Sequence, residues 1–359
     1  MKLRLTLVIV SCILSVLLGL VLSRGGGRGG GKKSKRDRPV IGLSMDTLKE
    51  ERWQGDRDMF VARANELGAD VEILSANSDD NRQIKDVEAL ITKQVDALVI
   101  IPHDGAACAK AVALAHEAGI PVLAYDRLIT GCDLDLYMTF DNEKVGELQA
   151  KFLADAWANT PGKKRLVRIY GSKTDNNALL FKKGQDRVIE PLVQAGHVEV
   201  VHEDWAQDWK PENAKKIANA AITKAGAPAG TLPFDAILAS NDGTAGGAIQ
   251  ALTEEGLAGK ILVMGQDAEL AACQRIVAGT QSMTIYKPLK ELATKAADIA
   301  VRLAQRRAVV AKAELDNGKI AVPSIFLDVV SVTKGNLRET VIADGFHKEA
   351  EVFQGAGEK

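Results

Sequence analysis

Seven apolar runs along this chain each stop at a small cluster of polar and aromatic residues, and longer amphipathic stretches separate the runs. The clusters are Asp46 with Arg52 and Trp53, then Pro102 to Asp104, Asp126 with Arg127, Lys173 to Asn177, Asn241 with Asp242, Gln266 with Asp267, and Lys287. Short β-branched runs alternating with helix-length amphipathic stretches predict βαβ units and a parallel sheet. The first strands fall at 40–45, 71–74, 97–101, 122–125 and 137–140, with helices near 53–67, 80–94 and 104–118. Gly68 and Gly119 stop two of these helices, as residues that tolerate a left-handed backbone do.

The pattern then restarts, with strands at 166–170, 198–201, 236–239, 261–264 and 283–286 and helices near 176–195, 212–225, 243–256 and 268–278. A long amphipathic helix over 287–307 and a late strand over 326–332 follow. These are more elements than the second half needs, so the chain is expected to cross back to the first half and return. The predicted fold class is α/β, with two doubly wound parallel-sheet domains joined by a multi-strand hinge. The expected boundaries are 39–140 plus about 286–325 for an N-terminal lobe and 141–285 plus about 326–349 for a C-terminal lobe, with a tail at 350–359. In an open parallel sheet, ligands gather at the carboxyl ends of the strands. The clusters stand at those ends and would face one another across a cleft, which predicts a polar organic ligand held by many hydrogen bonds.

Composition changes this picture little. The 359 residues suffice for two medium cores, and a formal net charge of −1 gives no basic excess for nucleic acid, so no nucleic-acid partner is expected. Local charge is more informative. Lys2 and Arg4 precede an apolar stretch at 5–22, long enough to cross most of a bilayer, so residues 1–23 read as either a signal peptide or a membrane anchor. A Gly-rich and basic tether follows over 24–38. Within it Gly26, Gly31 and Lys32 have the spacing of a phosphate-binding loop, but Lys33 stands where Ser or Thr is required, and that reading is rejected. Seven basic residues on this flank would favour its retention in the cytoplasm, a bias that opposes export. The four cysteines form no CxxC pair and the five histidines are scattered, so neither a metal site nor another cofactor is expected.

Arg52 and Trp53 follow the first strand, and Trp209 follows another. With aromatic residues only 4% of the chain, such placement narrows the ligand. A pyranose has apolar C–H faces and hydroxyl edges, which suit indole faces above and below and charged forks around the rim. The competing reading of each Trp is a core residue. Asp126 beside Arg127 would divide hydroxyls between acceptor and donor, or form a structural ion pair at the sheet rim. Asn176, Asn177, Asn241, Asp242 and Asp267 add donors and acceptors, with Asn241 or Asp242 also a helix cap. Lys287 is either a further donor or a solvated surface lysine. No nucleophile elbow, dinucleotide fingerprint or metal set accompanies them, which points to a binder rather than an enzyme.

From about residue 40 to 349 the chain resembles the periplasmic sugar-binding proteins of bacterial ABC importers, and within them the D-xylose-binding branch. The matching stretches include Glu51-Arg52-Trp53-Gln54, Leu123-Ala124-Tyr125-Asp126-Arg127, Asp175-Asn176-Asn177-Ala178, Ala239-Ser240-Asn241-Asp242, Gly265-Gln266-Asp267-Ala268 and Tyr286-Lys287-Pro288. The resemblance implies the type I periplasmic binding fold and a pentose, D-xylose or a related monosaccharide, lying between Trp53 and Trp209. Arg52, Asp126, Arg127, Asn177, Asn241, Asp267 and Lys287 would bond its hydroxyls and ring oxygen, with Asp46 as a further candidate. It also implies partners: a membrane ABC permease served by a separate ATPase. The leader departs from the family pattern, which keeps a tethered sensor reporting to a histidine kinase as an alternative. A sugar-responsive transcription regulator would need a helix-turn-helix before the first strand, where this chain has an apolar stretch and a Gly-rich linker.

Overall fold

The computed structural model describes residues 37–226 and 231–354; the predicted leader and nearly all of the tether lie outside them. In chain order the elements are β1 (Val40–Met45), α1 (Glu51–Glu66), β2 (Asp70–Ser75), α2 (Asp80–Thr92), β3 (Ala97–Ile100), α3 (Ala109–Glu117), β4 (Val122–Tyr125) and β5 (Leu136–Phe140). Next come α4 (Asn142–Trp157), β6 (Lys164–Tyr170), α5 (Asn176–Gln194), β7 (Val198–Trp205), α6 (Pro211–Ala225), β8 (Ala236–Ala239), α7 (Asp242–Glu254), β9 (Leu262–Met264) and α8 (Leu270–Ala278). The chain closes with β10 (Thr284–Tyr286), α9 (Leu289–Ala304), β11 (Ala313–Asp316), β12 (Ala321–Leu327), β13 (Val330–Val332) and α10 (Glu349–Val352).

A seven-stranded sheet has the order β2-β1-β3-β4-β5-β12-β11. It is parallel except for β11, which runs antiparallel along β12. The central strands β3 and β4 are buried along their whole length, which is why they read as continuous apolar runs rather than alternating ones. Phe60 and Ala64 of α1 and Leu292, Ala296 and Ala300 of α9 cover one face. Val87 and Leu90 of α2 and Ala111, Val112 and Ala115 of α3 cover the other. The smaller sheet, β7-β6-β8-β9, is parallel throughout. Helices α4 and α5 pack on one side of it and α6 and α7 on the other. A parallel bridge from Met264 to Met283 carries the smaller sheet on to β10, which pairs antiparallel with β13.

The chain passes between the two sheets at three places: from β5 into α4, from β10 into α9, and from β12 into β13. The late strand predicted over 326–332 is therefore two strands, β12 in the larger sheet and β13 beside β10. Strand β12 begins earlier than that reading and contains Pro323, a residue that cannot donate to a ladder and so gives no local strand signal. Strand β11, polar and at the sheet edge, was also not predicted. Nor was α4, although Asp141 caps it through Lys144 N at 2.9 Å and Val145, Gln149 and Leu153 recur at helical spacing on its buried face.

The approach of α4 to α5 positions part of the cleft. A Cβ at Gly146 would run into the Phe181 carbonyl, and one at Gly184 into the Glu143 carbonyl. The two glycines let the helix backbones touch, and α5 consequently presents Asn177 and Phe181 from its first turns.

Candidate ligand-binding site

The carboxyl ends of β1 and β4 in the larger sheet, and of β6 to β10 on the smaller side, meet around one cavity of about 330 Å³ of atom-free space. Its lining holds Arg52, Trp53, Asp126, Arg127, Asn177, Trp209, Asn241, Asp267 and Lys287. Asp46 does not line it and stands behind Arg127, which donates to its Oδ2 at 2.7 Å. Glu50, Asp175, Phe181 and Gln266 complete the wall. These were not singled out as contacts. Asp175 and Gln266 lay inside recognised clusters, whereas Phe181 sits one helical turn beyond Asn177 and reads as an ordinary core residue.

Local backbone geometry aims several of these groups. Asp126 has φ 63°, Trp209 φ 57° and Asp267 φ 101°, a region that side-chain-bearing residues avoid. Each such residue costs about 1–3 kcal/mol and persists only when its surroundings over-determine it. At Asp126 the restraint is visible: its carbonyl accepts from Tyr137 Oη at 2.9 Å, Thr139 Oγ1 at 2.7 Å and Asn177 Nδ2 at 3.1 Å. Asn241 caps α7 in a reciprocal capping box with Thr244 and still borders the cavity, so its two roles coexist.

Charges of both signs interleave around the cavity. Arg52 meets Asp126 at 2.8 Å, Asp56 at 3.1 Å and Asp267 at 3.3 Å, and Lys287 stands 3.5 Å from the same Asp267 oxygen. Arg127 uses Nη1 for Asp46 and Nε for Asp175, the latter at 2.9 Å. All of these side chains are buried. Burial pushes the Asp126 carboxyl up, but the charges of Arg52, Lys287 and Arg127 and the Arg52 hydrogen bond outweigh it and hold the group below its ordinary range. Asp56 goes the other way, to about 6, because burial and the neighbouring Asp126 charge exceed what Arg52 returns. At Asp175 burial likewise wins over Arg127 and the group is raised.

The indoles are fixed differently. The Arg52 guanidinium lies 4.2 Å from the Trp53 ring centroid and that of Arg127 lies 5.2 Å from it. Trp209 donates its Nε1 hydrogen to Asp175 Oδ2 at 3.1 Å, with Phe181 against it edge-to-face at 6.3 Å. Its six-membered ring covers Gly171, where a Cβ would overlap Cη2, Cζ2 and Cζ3. Three buried polar atoms on the wall, Arg52 Nε, Glu50 Oε2 and Gln266 Oε1, have no hydrogen-bond partner among the described residues. Buried polar groups left that way are costly, so a solute offering both donors and acceptors is favoured here. No group of His, Cys, Asp or Glu able to hold a metal ion occurs among the described residues. No helix among them is long and apolar enough to cross a membrane.

The periplasmic binding protein domain matches residues 41–308. The chain belongs to that family. This periplasmic binding protein is 50% identical over 313 residues to the D-xylose-binding periplasmic protein of Haemophilus influenzae, covering 87% of this chain and 92% of the relative. The protein of the same name from Escherichia coli is 49% identical over 312 residues, with the same coverage. Among solved structures, a carbohydrate transporter solute-binding protein from Chloroflexus aurantiacus in complex with D-glucose superposes with a TM-score of 0.80 at 33% identity, covering 88% of this chain and 98% of that one. The two parallel sheets with their three connections are the type I arrangement of this family.

Proposed function

We propose that this protein captures D-xylose in the cleft between its two sheets, outside the cytoplasmic membrane, and delivers it to an ABC permease driven by a separate ATPase. The observation that carries the ligand class is the cavity wall: two indoles among alternating guanidinium, ammonium and carboxylate groups, with unpartnered polar atoms of both kinds. The high identity to relatives named for D-xylose selects the sugar within that class. Residues 39–140 with about 286–325 form one lobe in this reading, and 141–285 with about 326–349 the other. The three connections act as the hinge, and closure removes the sugar from water.

Within the site, Trp53 and Trp209 supply the faces for the ring. Arg52, Arg127, Lys287 and the Asn177 and Asn241 amides donate, while Asp126, Asp267 and Gln266 Oε1 accept. In this reading the sugar is bound and released unchanged. Calorimetric titration with xylose, glucose, ribose and arabinose tests the reading. Heat with xylose in preference to the others is expected. No heat with any pentose would overturn the ligand, and binding of glucose without xylose would reassign it.

A further inference from the structure

Two loops meet at the rim of the cavity through a group that the sugar reading leaves unused. His103, on the segment after β3, places Nδ1 2.9 Å from Asp46 Oδ1. The other oxygen of Asp46 holds Arg127. Across the cleft, His103 Nε2 faces Asp208 Oδ1 at 4.0 Å. Asp208 belongs to the short 3₁₀ turn Gln207–Trp209 and has φ 54°. Its second oxygen takes Lys210 Nζ at 2.8 Å. The imidazole is mostly enclosed, and the main-chain N–H of His103 is tied to Gln83 Oε1 at 2.9 Å. It thus stands between a carboxylate on the larger-sheet side and a carboxylate adjoining Trp209.

A neutral imidazole donates from one nitrogen only. With the hydrogen on Nδ1, towards Asp46, a lone pair on Nε2 faces the Asp208 carboxylate. Protonation puts a hydrogen on both nitrogens and a positive charge between two negative ones. We propose that His103 is a positioning residue which, in its doubly protonated form, clamps the turn carrying Trp209 against the loops of the larger sheet and slows release of the sugar beneath it. The inference rests on the sugar-binding reading of this cleft.

The surroundings favour the protonated form. The hydrogen bond and charge of Asp46, with the charge of Asp80 at the start of α2, raise the imidazole above its ordinary range, against burial and the repulsion of Arg127. Asp104 is adjacent in sequence, and Lys210 neutralises part of Asp208. The Cys108 thiol, bonded to the same Gln83 side chain, is pushed up to about 12 by burial and stays uncharged. Because the folded-state value lies above the ordinary 6.5, the clamp is complete below that pH. It is lost as pH rises through the raised value.

The test is the release rate of xylose, followed by stopped-flow tryptophan fluorescence from pH 5.5 to 8.5, for the full chain, His103→Gln and Asp208→Asn. One partly buried ion pair is worth about a three- to fivefold change in rate. The unaltered protein should release sugar about that much more slowly at the acid end. Both variants should lose this dependence, with Asp208→Asn fixed near the alkaline rate although it keeps the contact between His103 and Asp46. A wild-type pH profile in Asp208→Asn would overturn the clamp. A second readout needs no variant: because slower release with unchanged capture means tighter binding, linkage requires the His103 imidazole, followed by NMR, to titrate at higher pH with pentose bound than without it. Identical titrations would refute the proposal while leaving the sugar assignment intact. Failure to bind pentose at any pH would remove the assignment itself and the clamp with it.

Discussion

Gly171→Ala tests the platform beneath the proposed sugar site with a single methyl group. Gly171 directly follows β6 and its φ is not positive, so the backbone accepts alanine without strain. The added Cβ would overlap the six-membered ring of Trp209 at Cη2, Cζ2 and Cζ3 together. The indole cannot retreat easily, because Nε1 is held by Asp175 and the ring edge meets Phe181. It must move towards the cavity it lines. Overpacking by one methyl costs about 1–3 kcal/mol. If that cost falls on the bound geometry, affinity drops about five- to 150-fold, at about 1.4 kcal/mol per decade. Calorimetry with xylose on Gly171→Ala, Trp209→Phe and the double variant measures it. Phe lacks the outer part of the ring that meets the new methyl, so Gly171→Ala should have little effect in the Trp209→Phe background. Wild-type affinity in Gly171→Ala, or simple additivity in the double variant, would refute the reasoning.

Other substitutions address the rest of the site. Trp209→Ala and Arg127→Ala should each weaken xylose binding at least about tenfold, since one removes a ring face and the other a buried charged fork worth about 1.5–3 kcal/mol per hydrogen bond. Both should retain a cooperative urea transition, and unchanged affinity in both would remove the proposed pocket. Glu269→Gln should flatten the pH dependence of stability. Burial first, then the charges of Asp242 and Asp267, push Glu269 up to about 8, and Asp242 is raised to about 7, mainly by burial. The folded state therefore holds these protons more tightly than the unfolded chain. Their stabilising contribution is complete below the ordinary carboxylate range and is lost as pH rises towards about 8. Thermal midpoints from pH 5 to 9 should fall less steeply in the variant, and an unchanged slope would contradict this.

The sequence disclosed most where local and global signals coincide. Runs such as 97–101 and 122–125 are apolar throughout because both faces of β3 and β4 are covered by helices, and the polar residues that follow stand at strand ends in the structure. The same logic brought Asp126, Arg127, Asn241, Asp267 and Lys287 to one cavity wall. Signals failed where tertiary context decides. Pro323 sits inside β12 beside an edge strand, a placement that follows from sheet order rather than from its neighbours in sequence. Asp46 shares the strand-end position of the wall residues, yet its carboxylate is taken by Arg127 and His103. Which of two strand-end carboxylates faces a cavity and which supports a neighbour depends on side chains far along the chain. Phe181 is invisible for the opposite reason: it is a core residue of α5 that reaches the wall because Gly146 and Gly184 draw two helices together.

The charge pattern bears on what the cleft can hold. Arg52, Arg127 and Lys287 are each within ion-pair distance of a carboxylate, namely Asp126 and Asp267, Asp46 and Asp175, and Asp267. Because these pairs are buried, removing one member would leave the other uncompensated, a penalty of several kcal/mol. The four carboxylates Asp46, Asp126, Asp175 and Asp267 outnumber these three cations, so a sugar acid would add a carboxylate to an existing anionic excess. A neutral polyol does not, because each hydroxyl can accept from a guanidinium and donate to a carboxylate without changing the net charge. In the proposed sugar site, discrimination against a sugar acid would come from that anionic excess, and the hydroxyls would be read by where the wall charges stand.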